Sequence, residues 1–196
     1  MKMFSSASGP RRDGTEGSLS DAPRPDGAWL FGKIPAHGDF ISRGLPPALH
    51  EACDLWLSAE LARARARFAD FDRRYQSAAP WHYVDCDANG AWSGGALCPS
   101  VDAVGRRFPI LVGAPAASPA EADGAARAAL ELVFSALGEA WDASRLHAAL
   151  SDIAAVASES PPAQAVWAIE AEDGTRIEMP GRFPQGLVER MLELAE

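Results

Sequence analysis

Apolar positions first gather in the run AWLFGKI at 28–34, short and aromatic, which predicts a strand. Pro35 and Gly38 break it, and 33–43 reads as a loop dense in polar side chains. Gly44-Leu45-Pro46-Pro47 marks a helix start, because a first-turn proline has no intrahelical N–H to lose. Leu49, Cys53, Trp56, Leu57, Leu61, Ala64 and Phe68 then recur at three- and four-residue spacing, one apolar stripe of a helix over 46–68. Arg63 and Arg67 share its solvated side, and 70–80 reads as a connector containing Phe71 and Tyr75.

The pattern then changes to strands. WHYVDC at 81–86 and the returning run 91–97 flank Asn89-Gly90, the strongest hairpin signal in the chain, with Gly94-Gly95 loosening the second strand. The unbroken apolar run at 108–112 predicts a strand buried on both faces. A turn at 115–119 leads to an alanine-rich helix over 121–137, with Leu130, Val133, Phe134 and Leu137 expected inward. A second helix over 144–156 has Ser144 as its expected N-cap and ends before Pro161-Pro162. Runs at 165–169 and 175–179 flank Asp173-Gly174 as another hairpin, and a helix over 185–194 follows. Helices alternating with hairpins predict a single α/β domain, a three-layer sandwich with a central mixed sheet and helices on both faces.

Composition narrows the function classes. With 196 residues and 47% apolar content, one domain with a substantial core is expected. Six tryptophans predict that several pack inside. A net charge of −9 argues against a nucleic-acid partner. Residues 1–27 are rich in Gly, Ser, Pro and Asp, with Asp13, Glu16, Asp21 and Asp26 balancing Lys2, Arg11, Arg12 and Arg24; they predict a disordered leader before a domain over 28–196. No stretch has the apolar core of a signal peptide or a membrane span, so no membrane insertion is expected and the cytoplasm is the default location. Cys53, Cys86 and Cys98 are odd in number and widely spaced, as in reduced thiols without a disulfide framework or metal site. Neither a dinucleotide nor a P-loop motif is present, and no cofactor is expected.

Two polar stretches carry candidate chemistry. In the first, Lys33, His37, Asp39 and Arg43 follow a strand; His37 with Asp39 could serve acid–base work, cap the loop, or present a partner-binding surface. In the second, SVDAVGRRFP at 100–109, Asp102 precedes Arg106 and Arg107, with Gly105 free to adopt an unusual backbone angle. An Asp102–Arg clamp and phosphate or phosphoprotein recognition through Arg106 or Arg107 are both open. His82, within an aromatic strand, reads as a satisfied or edge histidine, and His50 and His147 as solvated. If strands 28–34 and 108–112 are antiparallel neighbours, both polar stretches meet at one end of the sheet.

Gly32-Lys33-Ile34-Pro35-Ala36-His37-Gly38-Asp39-Phe40, Arg43-Gly44-Leu45-Pro46 and Trp56-Leu57 resemble the opening signature of the TagF family of type VI secretion systems. Gly94 followed by Cys98-Pro99-Ser100-Val101-Asp102 and Val104-Gly105-Arg106-Arg107-Phe108-Pro109 resembles its second block, and the two cover about 28–112. The resemblance implies a compact α/β sandwich and a cytoplasmic, non-enzymatic accessory protein. It would act as a post-translational repressor of secretion-system assembly or firing. The implied partners are cytoplasmic components of the system, among them its forkhead-associated scaffold protein. The family has no established catalytic residues, so Lys33, His37, Asp39, Arg43, Asp102, Arg106 and Arg107 are candidates for a partner surface or a fold clamp. Some relatives are fused to a phosphatase, whose motifs this chain lacks. Two other readings stand beside this one: a hydrolase using His37 and Asp39 with a distant nucleophile such as Ser100, and a structural component of the apparatus.

Overall fold

The structure, a computed structural model, describes residues 22, 24–154, 156–170 and 175–195. Seven strands, β1 (Trp29–Gly32), β2 (Ile41–Arg43), β3 (Trp81–Cys86), β4 (Trp92–Cys98), β5 (Ile110–Ala116), β6 (Val166–Glu170) and β7 (Arg176–Pro180), form one sheet in the order β2-β1-β5-β4-β3-β6-β7. The helices are α1 (Pro47–Arg67), α2 (Phe71–Ser77), α3 (Pro119–Gly138), α4 (Ala143–Ser151) and α5 (Leu187–Glu193). The expected three-layer α/β sandwich is formed, as a single compact domain. Within it, every strand pair is antiparallel rather than mixed. The helical crossovers are the reason: β2 and β3 run the same way across α1 and α2, but β1, β5 and β4 lie between them.

Strand alternation divides the core in two. Trp29, Phe31, Trp81, Tyr83, Leu97, Leu111 and Trp167 face α1, α2 and α5, whereas Leu30, Ala96, Ile110, Val112 and Ala114 face α3 and α4. The α1 stripe is as predicted, and Trp56 packs at tilted angles between Trp167 and Phe183 while its indole N–H donates to the Pro184 carbonyl at 3.1 Å. Tryptophans 29, 56, 81 and 167 are all buried. Part of the expected connector is helical, because α2 lays Phe71 and Tyr75 into the same layer.

The α3 face differs from expectation. Its buried residues are Ala122, Asp123, Ala125, Ala126, Ala129, Val133 and Ala136, while Phe134 is exposed. The helix lies almost against β4: a Cβ at Gly94 would stand 1.8 Å from the Ala122 carbonyl oxygen. Only small residues fit such an approach, and Phe134, about 100° round the helix from Val133, lies off this face at the rim. Ser118 caps α3 by accepting from Glu121 N at 3.2 Å. Asp142, rather than Ser144, caps α4, accepting from Arg145 N at 2.8 Å.

Ala22 and residues 24–27, within the expected leader, are among the described residues. Ala22 is buried, and Arg24 reaches under the sheet face that carries α1, so these residues belong to the domain. Residues 1–21 and 23 of the expected leader, and the Asp173-Gly174 turn, lie outside the described residues. No helix among the described residues is long and apolar enough to cross a membrane.

Candidate functional site

β1 and β5 are antiparallel neighbours, with Gly32 opposite Ile110. The loop leaving β1 and the loop entering β5 therefore meet at one end of the sheet. Lys33 is buried there, and its ammonium donates to Asp102 Oδ2 at 2.9 Å. Arg106 Nε donates to the same oxygen at 2.6 Å, while Asp102 Oδ1 accepts from the backbone N–H of Val104 at 3.1 Å and of Arg106 at 2.9 Å. Gly105 makes this return possible with φ of 82°, a left-handed angle costly for other residues. Burial alone would raise the Asp102 carboxyl; the Lys33 ammonium, the Arg106 N–H and guanidinium and the Val104 N–H outweigh it and hold the group well below the usual carboxylate range.

The clamp also ties the two loops together. Arg106 NH2 donates to the Gly38 carbonyl, and Ala103 N donates to the His37 carbonyl at 2.8 Å. His37 Nε2 accepts from Ala143 N at 3.1 Å, where α4 begins, so the ring carries its proton on Nδ1. Lys33 Nζ sits 4.7 Å above the Phe40 ring, which packs edge-on against Phe108 at 4.7 Å.

Of the predicted residues, Lys33, His37, Asp102 and Arg106 are brought together. Asp39 is exposed and accepts only from Phe40 N, at 2.9 Å, without any hydrogen bond to His37. Arg43 is exposed and donates to the Ser42 carbonyl at 2.8 Å. Arg107 turns the other way, to Asp72 of α2 at 3.1 Å. The patch therefore forms around four residues rather than seven. Outside it stand Phe40, 48% exposed, and Val104, 72% exposed. Beside it, Pro35, Tyr75, Pro99, Ser100, Val101 and Leu137 line a groove of about 230 Å³, where the Ser100 hydroxyl is buried without a partner.

Sequence reasoning missed three things. Phe40 and Val104 carry no periodic signal, being loop residues. Glu60 is wholly buried and caps the start of α5, accepting from Gly186 N at 2.9 Å and Val188 N at 3.0 Å. Its position in register with Cys53, Trp56, Leu57 and Ala64 was the available signal. Asp85, paired with Arg24 and with Arg182 at 2.9 Å, forms a second buried ionic cluster; an acid within the aromatic run WHYVDC was its signal. His82, expected to be a satisfied or edge histidine, is buried with Nε2 3.5 Å from Arg176 NH1; burial, then Arg176 and Arg127, push it down to about 4. His147, expected solvated, instead meets the Ala28 carbonyl at 2.9 Å. Burial pushes the Cys53 thiol up to about 12, so it remains a thiol at neutral pH.

Residues 29–153 match the family described as TagF N-terminal domain, type VI secretion system-associated. The chain belongs to the TagF family. The match spans both loops of the clamp, α1 and the capped start of α4. Among solved structures, the chain is similar to PA0076 from Pseudomonas aeruginosa PAO1, at 21% identity and a TM-score of 0.66, over 84% of this chain and 93% of that one. That likeness concerns the fold. No curated protein matches the sequence significantly.

Proposed function

We propose that the protein is a non-enzymatic, cytoplasmic repressor of type VI secretion, and that it grips a component of the apparatus through the face built on the Lys33–Asp102–Arg106 clamp. Family membership supplies the association with type VI secretion. The observation that carries the rest is the state of Asp102. Its two oxygens take four donors, so the acid is spent on holding two loops rigid. What the loops offer outward is Phe40, Val104 and the half-exposed Arg106 guanidinium, an aromatic and apolar pair beside a charged fork. Aromatic and arginine anchors ringed by a preformed loop suit protein recognition. The adjacent groove, walled by Pro35, Pro99, Val101 and Leu137, suits an inserted apolar side chain. The forkhead-associated scaffold protein is the partner that the family suggests.

The hydrolase reading has less support. His37 uses Nε2 on the α4 backbone, and Asp39 uses its carboxylate on its own loop, so neither orients the other toward a nucleophile.

The test pairs folding with function. Arg106→Ala and the double change Phe40→Ser, Val104→Asp should retain native circular dichroism. Each should lower affinity for the scaffold by about thirtyfold, roughly 2 kcal/mol. Each should also release secretion in a deletion strain complemented with the variant. Folded variants that bind and repress as wild type does would place the interface elsewhere.

A further inference from the structure

At the opposite end of the strands, the fold receives one of its own side chains as if it were a ligand. Arg24 lies in a stretch without helix or strand, yet its side chain is only 5% exposed. Its guanidinium pairs with Asp85 of β3 and donates to the Ser93 hydroxyl of β4. Asp85 and Ser93 stand directly opposite each other in the β3–β4 register. Arg182 approaches the same Asp85 oxygen at 2.9 Å and also donates to the Ala22 carbonyl. Trp29, Tyr83 and Trp167 wall a small hollow of about 20 Å³ beside Asp85, enough for about one water.

The acceptors are therefore built by the sheet, and the N-terminal stretch contributes only the cation. The fit is also incomplete. Both guanidinium groups crowd Asp85 Oδ2, while, among the described residues, Asp85 Oδ1 and Arg24 Nε are buried with no side-chain hydrogen-bond partner. A carboxylate accepts best when both oxygens meet a fork in parallel, which Arg24 does not achieve here. An irregular segment is also the part of a fold that opens at least cost.

We propose that this recess is an arginine-recognition site, occupied in this chain by Arg24, and that it takes the guanidinium of an extended arginine-bearing segment of a partner protein when the Ala22–Arg24 stretch withdraws. The occupant's chemistry is read from Arg24 itself: a planar fork reaches Asp85 and Ser93 at once, whereas a lysine ammonium presents a single point. Pro23 and Pro25 flank Arg24 in the sequence, so the preferred segment has proline neighbours. Both Arg24 and Arg182 lie outside the family match, which covers 29–153. The site is independent of the role proposed for the Lys33–Asp102–Arg106 face.

The full-length Arg24→Met variant tests it, keeping the apolar stem and removing the fork. N-acetyl-arginine amide should raise the melting temperature of this variant saturably. It should leave wild type unmoved, and N-acetyl-lysine amide should have no effect on either. Adding Asp85→Asn should weaken the response at least tenfold. A peptide of residues 20–28 should bind the variant at least tenfold more tightly than the same peptide with lysine in place of arginine. Tryptophan fluorescence of Arg24→Ala, reporting on Trp29 and Trp167, reads occupancy independently of melting. If neither variant gives a saturable response, or wild type responds equally, the pair is a closed structural contact and the proposal falls. It falls equally if both variants are unfolded at 25 °C, for Arg24 is then a core side chain.

Discussion

Asp102 and Asp85 are two buried aspartates at opposite ends of one sheet, each set between two cations. Asp102 has a donor on every side: Lys33 and Arg106 on one oxygen and two backbone N–H groups on the other. Its carboxyl is held well below the usual range. Asp85 has both cations on one oxygen, and no side-chain donor among the described residues meets the other. Burial pushes its carboxyl up, and Arg24 and Arg182 pull it only partly back; burial likewise disfavours the charged form of Arg24. The pairing of charges is the same, so the difference lies in the backbone. A tight turn through Gly105 aims two N–H groups at Asp102, whereas Asp85, within a strand, draws a backbone contribution from Cys86 alone. Buried ion pairs stabilise when the remaining lone pairs are also satisfied, and otherwise come close to neutral. The first cluster accordingly shapes a rigid face, and the second leaves a place where an occupant could be exchanged.

The largest expected effect separates the two ends by packing. Trp56→Ala should cost about 3–5 kcal/mol in denaturant unfolding. Trp56 supports Phe183 and the Pro184 carbonyl, and so the loop bearing Arg182. Amide exchange should quicken around Arg182 and Asp85 while the Ala103 and Arg106 amides stay protected. Equal loosening at both ends would show that the clusters are not independent.

Next in size is a matched substitution. Asp102→Asn should lower the melting temperature more than any other single change to an ionic side chain, because Lys33 is left buried without a counter-charge and two N–H groups lose an ionised acceptor. Asp85→Asn should also destabilise, because Arg24 and Arg182 are left buried without a counter-charge, but by less than Asp102→Asn, because burial already penalises the Asp85 carboxylate. Equal losses at the two positions would erase the contrast.

The smallest effect is in the pH profile, where the two acids have opposite signs. The folded carboxyl of Asp102 lies below the unfolded value of about 3.9, so its contribution is complete above that value and is lost as pH falls through it. Asp70, Glu170 and Glu193, also lowered by arginine partners, add to the same fall. The folded carboxyl of Asp85 lies above the unfolded value, so the folded state gains protons first. Stability from this group therefore rises as pH drops from neutral toward about 4. Wild type minus Asp85→Asn, measured as the urea midpoint against pH, should isolate that rise. A difference that is flat, or of the other sign, would remove the asymmetry.

The periodic pattern was enough to place α1 and its buried stripe, both hairpins of the sheet's centre and far side, and the meeting of Lys33 with Asp102 once β1 and β5 were taken as neighbours. These follow from local chemistry: a stripe at helical spacing has one way to be buried, and Asn-Gly has a preferred turn. Glu60 was also within reach, as an acid on an apolar face. Other features were not encoded locally. Phe134 was expected inward beside Val133, and only the packing of α3 on β4 selects the Ala122–Ala126–Ala129–Val133 stripe, which leaves Phe134 at the rim. Arg107 and Arg106 are adjacent in sequence yet serve opposite sides of the fold, since backbone alternation sends one to Asp72 and the other to Asp102. Arg24 reads as part of a polar leader, and only the sheet, by placing Asp85 opposite Ser93, makes a recess that holds it. The sequence thus determined which residues are apolar, charged or turn-forming and how they repeat. The tertiary structure decided which charges share an oxygen, because that depends on distances between strands far apart in the chain.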